Sequence, residues 1–345
     1  MSFYDVNGYL DFRRIRDLGY PYTIILGGRA VGKTYGALRS SVEDDINFML
    51  LRRTQRQLDI INKPIFSPIR PVCRDTGLQI TMRSVAPGLA AFVPYEVEEE
   101  TGKEIVTGDP LGYTAALSTF SNLRGFDASH VQILLFDEFI PEKGERPIKN
   151  EADALWNCYE SINRNRELDG RPPLQLILMA NANDQTAPVL ESLKLITRIE
   201  KMRKTGQEMY VDRSRGLCLI LLRDSPISER KRDTALYRLT DGTSFADMAL
   251  DNDFAYEERG RIVSRPLAEY KPLVRVGEVT VYRHKAERKY YASLHASGSP
   301  PSFGTGDGEL QRFRHSYGWL WEAQMTDSIE YEDYLAQVLL TKYIN

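Results

Sequence analysis

The chain has 345 residues, with 45 Lys and Arg against 48 Asp and Glu and a formal net charge of −3. This near balance excludes a partner held by overall charge, so any polyanion must be bound by local patches. The length suffices for two domains with separate cores, and no apolar run approaches the ~18 residues of a membrane span. The cysteines Cys73, Cys158 and Cys218 are odd in number and far apart, which argues against a disulfide framework or a zinc site. Without a signal peptide or lipidation motif, the expectation is a soluble cytoplasmic protein with core thiols.

Residues 1–20 are polar and aromatic, with Leu10, Phe12, Ile15 and Leu18 at mixed helical spacing, and are expected to pack beside the nucleotide that the following loop would hold. Residues 22–26 read as a buried strand and 35–41 as a helix. Between them Gly27-Gly28-Arg29-Ala30-Val31-Gly32-Lys33-Thr34 fits G-x-x-x-x-G-K-[ST] in the strand, loop, helix setting that a phosphate loop requires. Gly27 and Gly32 permit the tight backbone that turns N–H groups toward an anion at a helix's positive end. Lys33 is expected on the outer phosphates of ATP and Thr34 on Mg²⁺. An ordinary glycine-rich turn gives no reason for Lys-Thr directly after the second glycine.

Residues 46–53 predict a buried strand beside the first strand of a doubly wound sheet. Its terminal Arg52 and Arg53 would reach the carboxyl edge where ligands bind, and Arg53 is assigned to the nucleotide; the plain alternative is a solvated strand end. Residues 78–119 alternate in short runs about the turn at 100–104 and predict a β-hairpin insertion, with the acidic run 96–100 as a solvated face.

Residues 131–138 are an apolar strand ending in Asp137-Glu138. Asp137 at such a tip can hold Mg²⁺, while Glu138 can polarise water in line with the γ-phosphate. A third buried strand, 174–180, ends at Asn181, with Asn183 close behind; Asn181 could hydrogen-bond the attacking water or the γ-phosphate, or simply form a turn. Between these strands 151–166 has helical spacing and finishes in Arg164-Asn165-Arg166. Basic residues suit a helix C-terminus, and a permanently charged guanidinium also suits a transferring phosphoryl group.

From Ser228 a helix is expected through Leu239, then the Asp241-Gly242 turn, a cap at Thr243 and a short helix to Leu250. Beyond Phe254 the chain is β-like over 273–276, 280–284 and 289–295, followed by a Gly/Ser/Pro loop at 297–308 and a helical tail. The span 259–289 carries nine basic and three acidic residues, with Tyr282, Tyr290 and Tyr291 nearby. It reads either as a contact for nucleic acid or a partner protein, or as core tyrosines beneath a solvated basic face.

With both nucleotide motifs in place, Phe120-Ser121-Asn122-Leu123-Arg124-Gly125-Phe126-Asp127 resembles the corresponding region of phage terminase large subunits. The closer resemblance is to the DNA-packaging (encapsidation) ATPases of the phi-twenty-nine type. It rests on Phe136-Asp137-Glu138-Phe139-Ile140, on Asn163-Arg164-Asn165-Arg166-Glu167, and on Arg238-Leu239-Thr240-Asp241-Gly242-Thr243 with Met248-Ala249-Leu250-Asp251-Asn252. The resemblance covers about residues 20–255; the last third matches only in general character.

What the resemblance implies is an α/β P-loop additional-strand ATPase domain with a β-hairpin insertion (1–227), a helical lid or linker (228–257), and a C-terminal α+β domain (258–345) similar to a ribonuclease H fold without nuclease activity. It also implies a homo-oligomeric ring, pentameric in that family, which docks on the portal (connector) of a procapsid in the infected host's cytoplasm and drives double-stranded DNA inward. In that family a small structural RNA can bridge motor and portal. Arg164 matches a trans-acting arginine finger. Arg124, and Lys143, Arg146 and Lys149 in the loop after the Asp-Glu pair, are candidate DNA contacts, with a solvated basic loop as the alternative. The expected C-terminal strand cores contain no Asp or Glu, Glu278 lying at a turn, which argues independently against a two-metal nuclease. A nucleotide switch that moves no polymer and a terminase with a working nuclease are the competing readings.

Overall fold

The computed structural model describes residues 2–123, 125–141, 145, 148–181, 187–222, 225–243, 246 and 261–345. The chain divides into two compact units, Met1–Leu193 with Met202–Ala255, and Lys194–Lys201 with Tyr256–Asn345.

In chain order the first part runs α1 (Phe12–Arg16), β1 (Tyr22–Leu26), α2 (Lys33–Glu43), β2 (Phe48–Arg52), α3 (Gln55–Ile61), α4 (Arg70–Thr76), β3 (Ile80–Ala86), β4 (Leu89–Val97), β5 (Glu104–Val106), β6 (Gly112–Ala116) and β7 (Ile133–Asp137). It continues through α5 (Glu151–Asn163), β8 (Gln175–Ala180), α6 (Pro188–Ser192), α7 (Ile196–Thr205), β9 (Met209–Asp212), β10 (Leu217–Leu221), α8 (Pro226–Arg232) and α9 (Ala235–Leu239). The strands form one sheet in the order β3-β4-β6-β2-β7-β8-β1-β10-β9, with β5 on β4. From β6 to β10 every pairing is parallel, and only the edges are antiparallel.

The sequence explains this division. β2, β7 and β10 are buried at every position, as strands of a parallel sheet covered on both faces must be. One core joins Ile25, Leu50, Leu135, Ile177 and Ile220 to Ala37 and Leu38 of α2 and to Phe12 and Ile15 of α1.

Three expectations change. β2 does not neighbour β1, because β7 and β8 lie between them; this brings both the carboxylate strand and the Asn181 strand closer to the phosphate loop than β2. Residues 78–119 form more than a hairpin: β4 and β6 extend the main sheet, β6 pairing directly with β2, while only β5 and the exposed acidic turn project from it. The helix expected from Ser228 through Leu239 is two helices, broken where Thr234 takes extended backbone at ψ 159°. The Thr243 cap is present, its Oγ1 accepting from the Ala246 N–H at 3.3 Å.

The second unit holds β11 (Tyr270–Val276), β12 (Val279–His284), β13 (Tyr290–Ser293), β14 (Ser302–Phe303), α10 (Asp307–Tyr317), α11 (Trp319–Met325), β15 (Ile329–Tyr331) and α12 (Tyr334–Ile344). Its sheet order is β14-β11-β12-β13-β15, an antiparallel meander with a parallel strand on each edge. An irregularity between Pro272 and Val274 exchanges the faces of β11. Val274 and Val276 therefore join Phe313, Leu320 and Leu340 in the main core, whereas Tyr270 joins Tyr282 and Tyr291 on the other side. Tyr282 and Tyr291, at 0% and 2% exposure, are core residues and cannot stack on a base; Tyr290 packs against Trp319 with ring centroids 4.9 Å apart. The tail, expected to be helical, also contributes β15. Its Glu330 is engaged at 2.7 Å by both arms of Arg265, and no cluster of three or more His, Cys, Asp or Glu suited to a metal occurs among the described residues.

Candidate active site

The carboxyl ends of β2, β7, β8, β1 and β10 lie along one edge of the main sheet, the edge where ligands bind in open α/β folds. β1 leads into the glycine loop. Gly27 is forced by close approach, since a Cβ there would lie 2.8 Å from the Leu222 side chain that follows β10. Gly32 enters α2 at φ 91°, and Ala30 takes φ 58° without glycine's freedom, a strained residue inside the loop.

The carbonyls of this loop have named donors. Lys33 Nζ donates to Gly27 O at 3.0 Å and Gly28 O at 2.7 Å. Lys231 Nζ, from α8, donates to Arg29 O at 2.7 Å. The Leu10 N–H reaches Val31 O at 2.9 Å, and the Gly36 N–H reaches Gly32 O at 2.8 Å. With these five oxygens engaged, backbone N–H groups and the positive end of α2 are what the loop can offer an anion. The opening segment packs against this loop through Leu10 and the buried Phe3 and Phe12.

Lys33 is buried and makes a third bond, to Asn181 Oδ1 at 3.0 Å. Burial pulls its ammonium down to about 8, against the opposing pull of Asp137 and Glu138. Thr34 Oγ1 donates to Asp137 Oδ2 at 2.7 Å. Arg52 Nη2 reaches that same oxygen at 2.9 Å, and its Nη1 meets Glu138 Oε2 at 2.5 Å. Asp137 is 2% exposed, and burial raises its pKa while Arg52 and the Thr34 hydroxyl work the other way. Glu138 keeps a half-exposed carboxylate on a backbone at φ 56°, a second strained residue at this edge.

Of the two arginines ending the second strand, Arg53 is placed elsewhere than expected. Its guanidinium is fully buried and grips Glu151 through Nε at 2.6 Å and Nη2 at 2.9 Å, with Nη1 on Glu145 at 2.6 Å. Arg52 is the one that meets the carboxylates, because Leu51 pairs with Phe136 and Arg52 therefore comes level with Asp137. Lys231 was missed, because nothing local to α8 tells that it faces the loop.

Arg164 ends α5 at φ 48°, with a half-exposed side chain donating to Phe126 O at 3.2 Å and lying 3.7 Å from Asp127. Arg166, the other guanidinium there, is buried; it donates to Ser129 O at 2.8 Å and to Val131 O, and burial lowers its pKa. Lys149 is exposed just before α5. Arg124, Lys143, Arg146, Asn183 and the stretch Met248–Asn252 lie outside the described residues.

The family model for podovirus DNA encapsidation protein (Gp16) matches residues 92–269, just over half of the chain. The DNA packaging protein of Bacillus phage phi29 is 25% identical over 258 residues, covering 73% of this chain and 66% of that one. Its counterpart in Bacillus phage B103 is 25% identical over 236 residues, covering 67% and 63%. The chain thus spans about two thirds of the length of these relatives. Among solved structures, the bacteriophage Phi-29 viral genome packaging motor assembly matches with a TM-score of 0.67 and 17% identity, covering 98% of this chain and 99% of that one, a likeness of fold.

Proposed function

The chain belongs to the podovirus DNA encapsidation protein (Gp16) family, and from that membership together with its site we propose that it is an ATP-driven motor that moves double-stranded viral DNA into a procapsid. The observation that carries the reading is one constellation. Thr34 and Asp137 are bonded at 2.7 Å, Arg52 joins Asp137 to Glu138, and Lys33 lies within the same loop. These are the parts a nucleoside-triphosphate hydrolase needs, drawn from two strand tips and one loop.

In this reading Lys33 turns from the Gly27 and Gly28 carbonyls to the β- and γ-phosphates. Thr34 Oγ1 and Asp137 Oδ2 are hard oxygen donors that suit Mg²⁺, and they are the residues that would hold it. Bound there, Mg²⁺ supplies positive charge against the phosphate oxygens. Glu138 orients and polarises water in line with the γ-phosphate, and Arg52 fixes its carboxylate beside Asp137. Asn181, already bonded to Lys33, contacts the γ-phosphate or the water. β8 lying between β1 and β7 supports the additional-strand class of ATPase.

The wider assignments belong to the same proposal. The protein acts as a homo-oligomeric ring, a pentamer, on the portal of a procapsid in the infected cell, with a structural RNA able to bridge the two. Arg164 serves a neighbour's site, while Lys149 belongs to the DNA-facing loop. Residues 1–227 are the ATPase domain, 228–257 the lid and 258–345 a vestigial nuclease-like domain. The chemistry is tested by comparing Lys33→Ala with Glu138→Gln. The first should lose ATP binding and the second should keep binding while losing turnover, because only the second acts solely on water. Parental turnover in Glu138→Gln would remove Glu138 from the mechanism.

A further inference from the structure

We propose that Lys231 is a positioning residue of the nucleotide site: from α8 it holds the Arg29–Ala30 peptide so that the Ala30 N–H is presented to the phosphate chain. The inference rests on the ATPase reading and adds to it an element from outside the loop motif.

The argument begins with the peptide plane. No peptide bond described in the chain is cis, so the Arg29 carbonyl and the Ala30 N–H point in opposite directions. Lys231 Nζ donates to that carbonyl at 2.7 Å, which turns the N–H to the face away from α8. Ala30 needs such a brace. At φ 58° it occupies a conformation that a residue with a Cβ rarely adopts, and surrounding structure must maintain it. Its neighbours in the loop are held differently: Lys33 grips Gly27 and Gly28, and backbone N–H groups hold Val31 and Gly32. Among the described residues, Arg29 is the loop position whose carbonyl is held by a side chain from a helix other than α2.

The brace has a firm base. Ile227 and Ser228 of α8 are buried, and Gly8 approaches the helix so closely that a Cβ on it would lie 2.8 Å from Pro226 Cβ. Leu222, just before α8, packs on Gly27 at the start of the loop. The chain therefore meets the loop at two points here, through the apolar contact of Leu222 at Gly27 and the ionic hydrogen bond of Lys231 at Arg29. Lys231 is partly buried, and that burial lowers its pKa, as expected for an ammonium drawn from water to serve a carbonyl. Its charge also acts on Lys33, so the loop has a second cation as well as a brace.

The test uses the full-length protein and ATP. Lys231→Met keeps the aliphatic stem but removes the donor; its Kd and KM for ATP should rise about tenfold, the size expected from losing one charge-assisted hydrogen bond. KM should rise more than kcat falls, because the brace acts on bound phosphate and not on water. Lys231→Arg, which can still reach a carbonyl, should recover most of the affinity. A tether with no bearing on nucleotide would move the unfolding midpoint and leave KM alone; that result overturns the inference, as does equal loss in Lys231→Met and Lys231→Arg. If Lys231→Met does not fold, Lys231→Arg against Lys231→Gln supplies the same comparison: recovery in the arginine variant alone supports the brace, and equal loss in both overturns it. Failure of the parent protein to bind ATP would instead defeat the ATPase reading itself and this inference with it.

Discussion

A lysine buried before any phosphate reaches it must be solvated by the chain's own oxygens, and Lys33 has three of them. They do not fully replace water, which is why its ammonium titrates at about 8. Phosphates favour the charged form, so the pKa of Lys33 is higher in the complex than in the free protein. Below pH 8 the free protein already carries the proton and affinity should be flat. Above pH 8 binding must take up a proton, and Kd should rise by about tenfold per pH unit until the pKa of the complex is reached. Calorimetry in buffers of different ionisation enthalpy would register that uptake. A Kd constant from pH 7 to 9.5, with no buffer dependence, would show that Lys33 stays charged throughout. At this scale the loop and both carboxylates were legible, because each motif is local in sequence. Choosing Arg52 over Arg53 was not, since a single residue's change of strand face decides which guanidinium meets Asp137.

Arg53 shows what the other face does. It is an entirely buried cation whose charge is met by Glu151, the first residue of α5, with Glu145 adding a second carboxylate. Burial opposes its charge, but the bond to Glu151 prevails and its pKa is raised. The pair ties the end of β2 to the start of the helix whose far end carries Arg164. Arg53→Met should lower unfolding stability by about 3–5 kcal/mol, because it strands a buried carboxylate. Arg53→Met combined with Glu151→Met should regain much of that loss. Urea denaturation of both variants measures the difference, and equal losses would show that the ion pair is not the source of the penalty. The long apolar strands were readable for the same reason that they are central: burial on both faces leaves no polar position. β6 was not readable, since Gly-Tyr-Thr-Ala-Ala has little apolar content and is placed by pairing with β2 and β4. β15 is only three residues long and is likewise defined by its neighbour, β13.

For the whole molecule, the proposed trans role of Arg164 bears on whether one chain is enough. It lies half-exposed on a strained backbone, whereas Arg166 two residues later is spent on the carbonyls of Ser129 and Val131. Of these two guanidiniums Arg164 is the more exposed, which is why the proposed role across a subunit boundary falls to it. Supplying such an arginine is worth ~10³–10⁵ in rate for nucleotide hydrolases, so Arg164→Ala should bind ATP almost normally and turn over almost none. Mixed with Glu138→Ala subunits, it should regain activity in proportion to the junctions that place an intact Arg164 beside an intact Glu138. Mixed assemblies that form and remain inactive would assign Arg164 to its own subunit. The order of motifs along the chain made the family legible; the second unit was less so, because its tyrosines read equally well as a stacking surface and as the core they form. The most direct measurement of the central claim is steady-state ATP turnover by the full chain with and without duplex DNA. A DNA-translocating motor predicts slow turnover alone and a several-fold rise on adding duplex, abolished in Glu138→Gln; turnover indifferent to duplex DNA would contradict it.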